Sequence, residues 1–159
     1  MPSPFIALIG QLVWQVRRGV GTFLTMEFGQ PHLSVREPIE PRHSTAPRVR
    51  RDLRRRRVSL AGDWHLWIQH ADWKIDAANA SLRSDDEPDA GRDEVLRDLD
   101  GQKLLSAEVD PAGKWTLRFD LGATVEIWPA RYDADELWSL HPWQGDAIVW
   151  HRGRAQPQS

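Results

Sequence analysis

The stretch "LDGQKLLSAEVDPAGKWTLRFDLGATVEIWP", Leu99 to Pro129, has a skeleton that occurs earlier as "LIGQLVWQVRRGVGTFLTMEFGQPHLSVREP", Leu8 to Pro38. Gly10-Gln11 aligns with Gly101-Gln102, and Leu12 falls on Lys103. Phe28-Gly29 aligns with Leu121-Gly122, so Leu24, Met26 and Phe28 meet Leu117, Phe119 and Leu121. A further small shift sets Leu33 and Val35 on Val125 and Ile127, with Pro38 on Pro129. Trp64-x-Leu66 then corresponds to Trp138-x-Leu140. An internal repeat outranks other signals, because overlooking one misreads the whole fold.

Within each copy the period is two. Trp115, Leu117, Phe119 and Leu121 point one way, and Thr116, Arg118 and Asp120 the other. That alternation describes half-buried strands. "DPAG" (110–113) and "LGA" (121–123) supply the turns between them. Each copy reads as a β-meander, and about ten strands are expected in all. A single meander cannot bury its apolar face, but two can bury theirs against each other. The expected fold is mainly β, an α+β chain with one short helix. Two pseudo-symmetric meander copies form a sandwich or open barrel.

The organisation follows from that repeat. Residues 1–159 make one domain, with copies at 5–78 and 99–152. The first copy has more chain between its closing proline and its tryptophan strand, so residues 39–60 form an insertion loop. "SDDEPDAGRDEVLRDLDG" carries acids in a first turn, capping candidates at Ser84–Asp86, and Val95, Leu96 and Leu99 as an apolar stripe. It predicts a linking helix over about 85–100.

Composition narrows the function classes. Apolar residues make up 40% and charged residues 28%, the balance of a globular chain. There is no cysteine, which excludes disulfides, thiolate metal sites and a cysteine nucleophile. Phe5 to Val16 is apolar but too short to cross a bilayer, and it lacks signal-peptide flanks. The expected compartment is the cytoplasm, with no membrane partner. The net charge of −2 conceals two opposed blocks. Nine arginines face three acids in 36–60, and ten acids face four bases in 72–100.

The motifs "FLTMEFGQPHLSVREP", "GDWHLWIQHADW", "LDGQKL" and "FDLG" resemble an uncharacterised family of small bacterial proteins of unknown function. The resemblance spans about 20 to 150 apart from the insertion. Such families are similar to immunity-type proteins encoded beside bacterial toxins. The resemblance implies a protein that binds without doing chemistry. It transfers no catalytic residue.

No reaction motif contradicts that expectation. G-x-S-x-G, H-E-x-x-H, a P-loop and G-x-G-x-x-G are all absent. "RRGVG" (17–21) falls in a hairpin turn with no helix after it. His65 and His70 face opposite sides of a straight strand, and His141 and His151 are separated by a turn, so no metal site and no cofactor is expected. Asp120 and Glu126 could form an acid pair, but exposure on a hairpin's polar face explains both.

Three sets remain as candidate contact residues. Asp85, Asp86 and Glu87 would meet the basic cleft of a nuclease-type toxin. Trp67, Trp128 and Trp143 fall out of the core phase and, if gathered, would form an aromatic binding patch. Arg54, Arg55, Arg56 and Arg57 could neutralise phosphates or grip an acidic partner. A non-catalytic binding protein, specifically an immunity or accessory protein masking a toxin, is the leading expectation. The alternatives are a β-barrel holding a small apolar or aromatic ligand, and nucleic-acid binding through the arginine-rich insertion. No aromatic residue interleaves those arginines to stack on bases.

Overall fold

The computed structural model describes residues 3–42, 45–87, 93–130, 135–152 and 154–157. A 3-10 turn (Ile6–Leu8) precedes β1 (Val13–Arg18), β2 (Leu24–Phe28) and β3 (His32–Arg36). Then come α1 (Pro47–Leu53), β4 (Arg57–Ala61), β5 (Trp64–Ile68), β6 (Ala71–Ala77) and β7 (Ala80–Arg83). After α2 (Asp93–Leu99) follow β8 (Leu104–Val109), β9 (Trp115–Phe119), β10 (Thr124–Pro129), β11 (Glu136–Pro142), β12 (Ile148–His151) and β13 (Arg154–Pro157). Among the described residues no helix is long and apolar enough to cross a membrane.

The chain is mainly β, and among the described residues none of the sheets closes into a barrel. One sheet has the order β1-β2-β5-β11-β12-β13, a second β7-β6-β10-β9-β8, and β3-β4 is a separate ribbon. The order exposes the pseudo-symmetry. The first meander, β1-β2-β5, is extended by β11-β12 from the second copy. The second meander, β8-β9-β10, is extended by β6-β7 from the first. Each copy thus lends a hairpin to the sheet built by the other.

The pseudo-twofold passes through the two Gly-Gln segments, which pair with each other. Leu12 bridges Lys103. Gly10 N–H donates to Leu104 O at 2.7 Å, and Gly101 N–H donates to Val13 O at 2.7 Å. Leu104 N–H meets Gln11 O at 3.1 Å, and Val13 N–H meets Gln102 O at 2.8 Å. These are the same two bonds made twice. The equivalence runs on at one offset through the hairpins. Gly19 N–H to Phe23 O (2.8 Å) matches Asp110 N–H to Lys114 O (2.9 Å), and Gly29 N–H to Leu12 O (3.0 Å) matches Asp120 N–H to Lys103 O (2.9 Å).

That register corrects the alignment read from the sequence. Phe28 corresponds to Phe119, because Val13↔Phe28 and Leu104↔Phe119 are equivalent pairs. Leu121, expected in the core, lies in the turn and is 75% exposed. The repeat counterpart of β10 is β5, not β3, since Leu66 faces Met26 as Val125 faces Leu117. Residues 29–63 connect β2 to β5, where 120–123 suffice between β9 and β10. The whole β3–α1–β4 arm is therefore the insertion, longer than the expected 39–60. Trp138 corresponds to Trp73 rather than Trp64. Trp64–Ile68 and Trp138–Pro142 instead lie side by side as antiparallel neighbours.

Alternation places the core between the sheets. β6 buries every second residue, and β9 buries Trp115, Leu117 and Phe119. Phe5 sits among Trp115 (ring centroids 5.0 Å) and Trp138 (4.8 Å), and Trp150 stacks on Trp138 at 5.6 Å. These rings belong to the core between the sheets. The helix α2 is shorter than the expected 85–100. Its Val95 and Leu99 are buried as the stripe required. Ser84 is no helix cap: its hydroxyl donates to Asp72 (2.9 Å) and accepts the Trp73 N–H (3.2 Å). Positions 88–92 lie outside the described residues. A second helix, α1, lies within the insertion and buries none of its residues.

Candidate contact surface

The arm begins where two backbones nearly touch. A side chain at Gly62 would meet Phe28 O at 2.5 Å, so only glycine lets β4 turn into β5 there. Its N–H donates to the buried carboxylate of Glu27 at 2.9 Å. Asp63 then clamps the root. One carboxylate oxygen accepts the Gln30 N–H at 2.8 Å, and the other meets His32 Nε2 at 2.6 Å. These bonds hold the Asp63 carboxyl below its ordinary value, with the His32 bond the larger cause. The His32 ring stacks on Trp143 at 4.7 Å, and Trp143 N–H donates to Asp63 O at 2.7 Å. The root is thereby tied to the body from both strands.

Beyond the root, the ribbon is inside out. β3 and β4 pair in register, Leu33 with Leu60 and Val35 with Val58. Period two puts these four on one face. That face looks outward: Leu33 is 68% exposed, Val58 58%, Val35 50% and Leu60 46%. The opposite side of β3, with His32, Ser34 and Arg36, is half-buried. Ordinary half-buried ribbons show the reverse pattern.

Arg36 and Arg57 lie on the ribbon's other face. Arg36 donates to the carbonyls of Asp52 (2.9 Å) and Arg55 (3.1 Å), tying β3 to the segment after α1. Arg56 pairs with Glu37 at 2.9 Å, both side chains mostly exposed, a contact worth about 0–1 kcal/mol. Arg54, Arg55 and Arg57 are also exposed. Arg36 and Arg57 lie directly opposite in the ladder. Like charges so placed are destabilising, which an incoming carboxylate would relieve.

The other candidates are dispersed. Trp67 packs edge-on against Phe23 at 5.9 Å on the outer face of the larger sheet. Trp128 lies under the Arg83 guanidinium at 5.9 Å on the second sheet. Trp143 stands at the arm root, so the three form no single patch. Asp85, Asp86 and Glu87 line an open groove of about 950 Å³ with Arg18, Thr22 and Asp72. Asp86 is occupied there: its carboxylate accepts the Arg83 N–H at 2.8 Å and its carbonyl accepts from Arg18. Asp85 sits 3.7 Å from Arg83. Asp120 and Glu126 are likewise engaged, with the Lys103 N–H (2.8 Å) and with Lys114 (3.7 Å).

A row of polar side chains across three strands escaped the reading of spacings within single strands. Glu27, His65 and His141 face one another on β2, β5 and β11. Glu27 binds His65 Nδ1, and Ser139 Oγ lies 2.8 Å from His141 Nε2. Burial, and then the neighbouring His65, push the His141 pKa down from 6.5. The signal lay in cross-strand register. Among the described residues no group of three or more His, Asp or Glu side chains is arranged to hold a metal ion; His43 lies outside them. No family model, curated protein or solved structure matches this chain.

Proposed function

We propose that this chain is a non-catalytic binding protein that acts by contact with another protein through the β3–α1–β4 arm. The observation that supports the reading is the outward apolar face of Leu33, Val35, Val58 and Leu60. Burying an aliphatic side chain is worth about 1.5–3 kcal/mol, and the fold forgoes that gain at four neighbouring positions. Exposed apolar surface of this kind marks an interaction site. The two packed sheets supply a rigid base, and Asp63 fixes the arm's direction. Masking a toxin, as the resemblance to immunity-type proteins implies, is the specific role we propose for that contact.

The test is co-purification from the native host. The parent chain and a variant with Leu33, Val35, Val58 and Leu60 all replaced by threonine serve as baits. Threonine keeps the strand propensity while removing apolar area. A protein retained by the parent and released by the variant supports the reading. Retention of nucleic acid alone, or of the same proteins by both baits, overturns it.

A further inference from the structure

Resting on that reading, we infer that the arm's partner is an extended acidic segment of another protein, which joins the ribbon as a third strand along β4. Three observations point there. β4 pairs only with β3, so its other edge has no strand beside it among the described residues. Arg57, Val58, Ser59 and Leu60 are all exposed, making it the most accessible of the strands whose side chains are described. Its side chains alternate, with Val58 and Leu60 on the apolar face and Arg57 and Ser59 on the other.

An unpaired edge offers main-chain donors and acceptors to an incoming strand, and alternate side chains then decide which strand fits. Here the fitting pattern is apolar residues alternating with acids. The apolar residues continue the Leu33–Leu60 and Val35–Val58 rows. The acids meet Arg57, on the ribbon's other face. The charge of 36–60, nine arginines against three acids, attracts such a segment over distance. A second copy of this chain fits poorly, because edge-to-edge pairing of two β4 strands would crowd the arginines of both arms.

The test uses the full chain and three fluorescent probes. One is a peptide of about eight residues alternating glutamate and valine, the second alternates lysine and valine, and the third is the glutamate peptide with a central proline. Saturable anisotropy is expected for the first, weakened at high salt and by roughly tenfold or more in the double variant Val58→Thr/Leu60→Thr. The lysine and proline peptides are expected not to bind, proline because it removes a ladder donor. Equal binding of the proline peptide overturns strand addition and leaves the contact reading intact. Equal binding of the lysine peptide overturns the acidic partner. Failure of all three peptides, with saturable binding of a short DNA duplex, overturns both proposals.

Discussion

Asp63 is the hub of the arm's root: its carboxylate joins Gln30 and His32, and its main-chain carbonyl accepts the Trp143 N–H. The His32 and Gln30 bonds hold its carboxyl below the ordinary carboxylate value in the folded state. A depressed acid contributes stability that is complete above its unfolded pKa and is lost as pH falls through the folded one. Asp63→Asn is therefore expected to be less stable than the parent at pH 7. The gap should close as the pH drops below about 4, near the unfolded carboxylate range. Urea unfolding at several pH values checks it, and a gap that persists into strong acid would assign the effect to shape rather than charge. None of this was legible beforehand. Nothing in the spacing of His32, Asp63 and Trp143 joins them before the arm folds back.

The hairpin between β6 and β7 shows what the elements required and where they are strained. Its two turn residues, Ala78 and Asn79, have φ of 47° and 64°. A turn with both φ positive matches the strand twist and favours Asn-Gly. Alanine there strains its Cβ. Ala78→Gly is expected to raise the unfolding free energy by about 1 kcal/mol, and an unchanged or lower value in urea would show the turn relaxes another way. At this scale the sequence was readable where alternation is strict. β9, β10 and the α2 stripe were recognisable from Trp115, Val125 and Val95, all buried. The arm misled, because Leu33 and Val35 alternate like core residues yet face outward. Periodicity reports which residues share a face and says nothing about what covers it. That ambiguity produced the false match of β3 to β10, and it hid the most informative surface of the molecule.

At the scale of the whole molecule, the exchange of hairpins ties the two copies together, so neither sheet forms from one copy alone. The paired Gly-Gln segments made the symmetry visible in sequence, whereas the exchange itself depends on long-range pairing that no local pattern encodes. One consequence is tied to pH. His141 lies where the first meander meets the borrowed hairpin, and its pKa is held below 6.5. A histidine of this kind contributes stability that is complete above its unfolded pKa and lost as pH falls through the lower folded value. Going from pH 7 to pH 5 should weaken the parent more than His141→Gln, measured by thermal unfolding. Equal losses would place the acid sensitivity elsewhere.

The account turns on the arm's apolar face being surplus to the fold. The most direct measurement is the free energy of unfolding of the chain with Leu33, Val35, Val58 and Leu60 all changed to threonine. Side chains that serve only a contact leave that value within about 0.5 kcal/mol of the parent for each substitution, with one cooperative transition and an unchanged m-value. A fall of about 2 kcal/mol or more per site, the size of a core truncation, would show that these residues hold the protein together and would contradict the proposed contact surface.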